Sequence, residues 1–192
     1  MSIVYFDEKS NNGITGTVRF TSLPSGRTRV SVDLSGLEPL TAHAIHIHEK
    51  GDLSKGCMGT GGHWNPCGTT HGSYLFPERP KHMGDLMNNL FPDRVGKARV
   101  EFDDIGYRPE HVLGRAVVVH SLEDDLGLQG IIESDGSFTP YDDMSKTRLA
   151  QLSRARKYPV GSAADMKKKL NEESLKTGNA GGRMACGVIG IL

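Results

Sequence analysis

No run in this sequence approaches the roughly 18 consecutive apolar residues that a membrane-spanning helix requires, so a membrane partner is not expected. Neither sign of charge is in excess. Lys and Arg total 23, Asp and Glu total 23, and a nucleic acid or other polyanion gains no support as a partner. Cysteine is scarce: Cys57, Cys67 and Cys186 are far apart, which excludes both a Cys-x-x-Cys shuttle and a disulfide-dense scaffold. The opening MSIVYFDEKS lacks a basic leader followed by an apolar run, so no signal peptide is read there. A cytoplasmic location is the expectation, or a host's cytoplasm if the chain is virus-encoded, and in such a compartment a disulfide would be exceptional and need burial. Internal repeats and low-complexity tracts are also missing.

What the chain has is glycine, 24 in 192 residues, and few aromatics. Short alternating segments recur at 13–23, 27–37, 42–49, 97–104, 112–121 and 183–192, with a first strand near Ile3–Phe6. A spacing of two between apolar residues, punctuated by Gly, Pro, Asn and Asp, predicts an all-β antiparallel sandwich or barrel of seven or eight strands. One domain over 1–192 suits this length. Two long connections break the rhythm. Residues 50–96 have little strand character, and 122–182 contain a polar stretch that reads as two short amphipathic helices, 145–158 and 162–170. The second opens on Ser162 with Asp165 three residues on, a capping-box pattern.

Three of only eight histidines, His43, His46 and His48, crowd into AHAIHIHEKGD. On a strand His46 and His48 share one face, and His43 does not join them. Further on come His63 in GGHWNP, His71 in THGS, His82 and Asp85 in KHMGDL, and His120 ending AVVVH. Any one of these alone would be an ordinary edge or loop histidine. Together they supply six imidazoles and one carboxylate. Seven donors exceed one tetrahedral ion and fall one short of two four-coordinate ions, so a histidine shared through both ring nitrogens closes the count. Two metals are implied, and the count does not choose the bridging ring.

The segments HIHEKGD, GGHWNP, HGS, HMGDL, VVVHSLEDDLG and NEESLKTGNAGGRMACGVIGI resemble the copper/zinc superoxide dismutase family, over essentially the whole chain except 128–170. The resemblance implies a Greek-key β-sandwich, or flattened barrel, with two long functional loops. It implies a copper held by His46, His48, His63 and His120, and a zinc held by His63, His71, His82 and Asp85, one of each per subunit. His63 then becomes the bridge. Asp124 resembles the aspartate that orients a copper histidine and a zinc histidine through their outer nitrogens. Arg183 matches the fixed cation beside the open copper position, Cys57 and Cys186 the intrasubunit disulfide, and Glu172, Glu173, Lys176 and Thr177 the channel rim. The implied reaction converts superoxide to oxygen and hydrogen peroxide, with copper alternately reduced and oxidised, and with the bridging imidazole offering a proton to the peroxide. A homodimer follows by the same resemblance, with Gly51, Leu113, Gly114 and Ile191 at interface-like positions, and a copper chaperone is a further possible partner.

A metal carrier on the same sandwich would be expected to bring a Cys-x-x-Cys domain, and an inactive decoy to lack copper ligands or Arg183; neither applies to this sequence. The chain departs from the family in three places. Leu122 stands where many members have lysine near the channel, and the His71-to-His82 spacing is about two residues longer than the family norm. Residues 128–170 interrupt a connection that is usually short. They carry eight basic residues (Lys146, Arg148, Arg154, Arg156, Lys157, Lys167, Lys168, Lys169) against five acidic (Glu133, Asp135, Asp142, Asp143, Asp165). This local +3 could draw superoxide toward the mouth, or it could be a solvated excursion. The second reading is favoured, because a charge run is usually a solvated face. Cys67 is assigned no role.

Overall fold

In Thr28–Ser35 every second residue, Thr28, Val30, Val32 and Leu34, is buried while those between are half-exposed, which is the expected signature of a strand lying over a core. In a computed structural model describing every residue except Ile105, the same alternation builds two sheets. In chain order the strands are β1 (Ser2–Phe6), β2 (Thr15–Ser22), β3 (Thr28–Ser35), β4 (His43–His48), β5 (Ser54–Cys57), β6 (Asp85–Leu90), β7 (Ala98–Asp104) and β8 (Ala116–His120). Then follow β9 (Gly130–Ile132), β10 (Phe138–Pro140), the helices α1 (Lys146–Ala155) and α2 (Ala163–Thr177), and finally β11 (Arg183–Val188) and β12 (Gly190–Ile191). One sheet runs β12-β1-β2-β3-β7 and the other β11-β8-β4-β6, with all pairs antiparallel.

Val4, Phe20, Val30 and Leu34 of the first sheet pack with Ile45, Ile47, Leu86, Val117 and Val119 of the second, all fully buried. Each such side chain contributes about 1.5–3 kcal/mol by leaving water. β4 is buried on both faces. Ile45 and Ile47 point into the sandwich, so the period of two turns His46 and His48 to the opposite face, beneath the long connections.

The structure departs from the sequence-based expectation in the connections. Asp85–Leu90 is a strand, paired to β4 in the register His43↔Leu90, Ala44↔Asn89, Ile45↔Asn88. Its sequence, DLMNNL, has no alternating signature; the exposed edge of β4 imposes the extended form. The second helix continues past 170 to Thr177, so Glu172, Glu173, Lys176 and Thr177 lie on a helix. Ser162 caps it as expected, its hydroxyl accepting from Asp165 N at 3.1 Å.

The two amphipathic helices expected at 145–158 and 162–170 are present, as α1 and the first half of α2. The segment folds into the β9–β10 hairpin, α1 and half of α2, and buries its own core of Tyr141, Met144, Leu149, Met166 and Leu170. The charges face outward and the apolar residues inward, an arrangement that composition alone does not reveal. Replacing the fully buried Leu149 with alanine is expected to loosen this lobe by about 2–4 kcal/mol. Limited trypsin digestion would read this as faster cleavage within 128–170, at its many basic residues, while the sandwich stays intact.

Candidate metal centre

Sheet register alone delivers much of the site. In the β4–β8 ladder His46 lies opposite Val118, so His120, two residues on, emerges on the same face as His46 and His48. Arg183 pairs with His120 across β11 and β8, at a register shift. Asp85 pairs with His46 across a second shift. His63 is brought against β4 by an isolated bridge to His48 and by Trp64 N donating to Ile47 O at 2.8 Å. His71 is fixed by its N–H donating to Leu175 O at 2.8 Å.

Around Asp85 the geometry is that of a tetrahedron's edges. Its Oδ1 lies 2.9 Å from His63 Nδ1, 3.0 Å from His71 Nδ1 and 3.2 Å from His82 Nδ1, and the Nδ1 atoms of His63 and His82 are 3.3 Å apart. Donors about 2.0 Å from a shared tetrahedral ion sit about 3.3 Å from one another. A second group, His46, His48, His63 and His120, offers nitrogens all within 4.8 Å of one another, with His48 Nε2 and His120 Nε2 3.3 Å apart. His46 also reaches within 4.8 Å of donors on His63, His71 and Asp85. His82 joins the first group through its Nδ1, 3.2 Å from Asp85 Oδ1 and 3.3 Å from His63 Nδ1.

The outer nitrogens determine the inner ones. His46 Nε2 and His71 Nε2 bond the two oxygens of Asp124 at 2.7 and 2.9 Å, and His48 Nδ1 bonds Gly61 O at 2.9 Å. A neutral ring that donates outward presents a lone pair inward. Three buried ring nitrogens that face the donor groups, His46 Nδ1, His63 Nε2 and His71 Nδ1, have no hydrogen-bond partner. An unpaired buried polar atom costs about 1–3 kcal/mol, and so many in one pocket are accounted for by metal ligation. The donor set fits: imidazoles alone on one side suit copper, and three imidazoles with a carboxylate on the other suit zinc.

Electrostatics agree. Burial, then the neighbouring His46, lowers the His63 pKa to about 3, keeping the ring neutral. Burial likewise holds His48 and His120 well below their ordinary value. Burial opposes charge on His71, but Asp124 and Asp85 outweigh it and raise its pKa. The two carboxyls are lowered in return despite burial, by His71 and, for Asp124, His46.

A cavity of about 210 Å³ leads to His48, His63 and His120, with Arg183 in its wall. The Arg183 guanidinium donates to Cys57 O at 2.7 Å, Thr60 Oγ1 at 3.0 Å and Gly61 O at 2.6 Å. These are neutral acceptors, so its charge is positioned without being cancelled. The Cys57–Cys186 disulfide is formed and ties the segment carrying those carbonyls to β11, while Cys67 is free and exposed. Of the expected rim, Glu173 and Thr177 line the cavity, whereas Glu172 and Lys176 are exposed outside it.

Several residues at the site carry no signal in the sequence reading. Asn88 Nδ2 donates to Asp124 Oδ2 at 3.0 Å, and the Asn89 side chain bonds both N–H and C=O of Asp124, at 2.8 and 2.9 Å. Two adjacent asparagines in a strand are disfavoured, and that oddity was the available clue. Asp125 accepts from Tyr141 Oη at 2.7 Å, Ser174 Oγ at 2.9 Å and Asn179 Nδ2 at 2.8 Å. Gly178 takes φ +65° at the end of α2, and a Cβ there would collide with the Asp124 carboxylate and with His71 Nε2.

A β-sandwich whose strands and loops gather six imidazoles and one carboxylate, three of the rings lining a cavity with Arg183, defines a dinuclear metalloprotein. The family model described as copper/zinc superoxide dismutase (SODC) matches residues 14–150. The chain is 39% identical to a Superoxide dismutase [Cu-Zn] of Paramecium bursaria Chlorella virus 1, over 92% of this chain and 73% of that one. It is 38% identical to a Superoxide dismutase [Cu-Zn] of Neurospora crassa, over 95% and 94% of the two chains. Its structure is similar to the crystal structure of the clock protein EA4, with a TM-score of 0.69 and 32% identity, covering 100% of this chain and 94% of that one. The chain belongs to the copper/zinc superoxide dismutase family.

Gly178→Ala is expected to displace Asp124 and lower zinc affinity by about 10- to 100-fold, read by competition with a chromophoric chelator. Metal-free protein should also lose stability on acidification. His48, His63 and His120 stay neutral when folded, whereas unfolded histidines protonate near pH 6.5. Between there and about 3 the unfolded state binds more protons, so stability falls as pH falls. The lowered Asp85 and Asp124 add a loss in the same direction below the usual carboxylate range, while the His71 contribution fades only as pH rises. A melting temperature for the apo protein that stays level from pH 7 to 4 would contradict this.

Proposed function

We propose that this chain is a superoxide dismutase, converting two superoxide anions and two protons to oxygen and hydrogen peroxide. In it His46, His48, His63 and His120 hold copper, and His63, His71, His82 and Asp85 hold zinc. The observation that carries the assignment is the disposition of His63. Its Nδ1 lies 2.9 Å from Asp85 and 3.3 Å from His82 Nδ1, while its Nε2 is free, buried, and in the wall of the cavity shared with His48 and His120. When bound, copper supplies a one-electron redox couple and zinc a redox-inert charge that fixes the shared ring.

The chain's own groups supply the rest. Arg183 presents a guanidinium to an entering monoanion, and guanidinium stays charged at any relevant pH. Asp124 sets the tautomers of His46 and His71 through their Nε2–H groups, aiming both Nδ1 lone pairs inward. Nε2 of His63 is the atom at which a proton can be held beside the cavity and passed to peroxide. The narrow, partly enclosed cavity limits access to small anions.

A homodimer is part of this reading. Gly51 packs against Gly114 and Val188, and the neighbouring surface leaves Leu53, Val188 and Ile191 exposed at 40%, 40% and 80%. Copper delivery by a chaperone and a cytoplasmic location complete the proposal, the latter favoured by the exposed free thiol of Cys67. No helix is long and apolar enough to cross a membrane among the described residues. Residues 1–192 are read as one dismutase domain with 128–170 as its lobe.

Metal content and superoxide consumption, measured on the same sample with and without added copper, test the function. Turnover should track copper and vanish in His46→Ala, and Arg183→Gln should reduce the rate by about 10-fold with copper retained. Full copper and zinc occupancy without turnover would overturn the dismutase reading. Sedimentation analysis tests the dimer.

A further inference from the structure

Building on the dismutase reading, we propose that the lobe 128–170 supplies a second wall of the active-site cavity, and that Arg156 in that wall is an outer anion-attracting residue working ahead of Arg183. The cavity that reaches His48, His63 and His120 is lined by Arg183 and also by Arg156 and Tyr158, which come from the segment after α1. Leu122, partly buried, lies against Gly181 and contributes no charge.

The fixing of Arg156 resembles that of Arg183. Its Nε donates to Asn179 O at 3.1 Å and Nη1 to Leu152 O at 3.3 Å, both neutral carbonyls. Among the described residues no carboxylate comes within 4.0 Å of its guanidinium. The side chain is half-buried, so its field is less screened than that of a fully solvated arginine. Asn179 in turn donates to Asp125 at 2.8 Å and to Leu170 O at 2.8 Å, which anchors the Arg156 acceptor in the same network that ties the lobe to the metal loop.

Charges facing the mouth from each element sum in favour of an anion. Glu173 on α2 is the one acid in the cavity wall among the described residues, and Lys169, one turn earlier and within the lobe, bonds it at 2.8 Å. The Lys169 ammonium also lies 5.3 Å from the Tyr158 ring centroid, holding that wall together. Glu123, on the far side, shares a separate hollow with Arg156 and opposes its charge from there. Within this cavity Arg183 and Arg156 are thus left as the cations without an ion-pair partner, Glu123 acting on Arg156 only from the neighbouring hollow. The lobe's remaining basic residues lie outside this cavity, the exposed Arg154 among them.

The test uses metal-loaded full-length enzyme and stopped-flow superoxide decay at ionic strengths from about 10 to 200 mM, a range over which the Debye length falls several-fold. Arg156→Gln is expected to lower the second-order rate constant about two- to five-fold at the lowest ionic strength and to flatten its salt dependence. Arg156→Glu should go further, Arg156→Lys should restore both, and Arg154→Gln, the same charge change away from the mouth, should leave both unchanged. A wild-type salt slope in Arg156→Gln, or equal effects of Arg154→Gln, overturns the proposal. A measurement needing no variant guards against misfolding: in the reduced, diamagnetic holoenzyme, inorganic phosphate should shift the Nε–H resonance of Arg156 along with that of Arg183. An Arg156 resonance that stays still also overturns it. Absence of turnover in the wild type would strike the dismutase reading, whereas wild-type turnover with an unaltered Arg156→Gln slope strikes this proposal alone.

Discussion

The Asp124 carboxylate is the constraint on which the centre depends. One oxygen receives the Nε2–H of His46 and the other that of His71, so a single buried side chain orients one ring in each donor group. That role demands that Asp124 itself be immobile. Asn89 bonds its backbone on both sides, Asn88 donates to Oδ2, and Leu126 N donates to Oδ1 at 2.6 Å. The absence of a side chain at Gly178 leaves room for the carboxylate to meet His71. A buried carboxylate whose two oxygens each accept two hydrogen bonds is held rigidly, and one with fewer would be destabilising.

The lobe is coupled to this constraint by one peptide bond. Asp125, adjacent to Asp124, is where Tyr141 from the lobe, Ser174 from α2 and Asn179 from the segment before β11 converge. The lobe therefore does more than decorate a loop. Its core fixes Tyr141, Tyr141 fixes Asp125, and the same packing sets Arg156 in the cavity wall. An insertion that kept the local net charge but lost its apolar residues would keep neither function.

The sandwich strands and the donor set were legible in the sequence because each rests on a local rule. Apolar alternation reports burial on one face, and a period of two puts His46 and His48 together. Arg183 as a cation near the copper donors was expected through resemblance, and ladder register sets it opposite His120. The strand Asp85–Leu90 was hidden because its form comes from the edge of β4, a partner about 40 residues away in sequence. Asn88, Asn89 and Gly178 were hidden for a similar reason, since what they contact is set only after the loops close. The lobe's two helices were legible from their apolar spacing and the Ser162–Asp165 pattern, but its packing was not, because charged residues outnumber the few apolar ones that make its core and composition weighs them equally.

Strand β4 uses both faces fully, isoleucines inward and imidazoles outward. Sliding it by one residue against β8 would thrust the rings among valines and leave the isoleucines facing Asp85 and Asp124. Filling the centre therefore proofreads the strand alignment: ions can be captured only by a correctly threaded sheet, and their capture penalises every misthreaded one. Until then the nascent sandwich houses a cluster of lone pairs with nothing to bind. Maturation of this protein is thus inseparable from the supply of its ions.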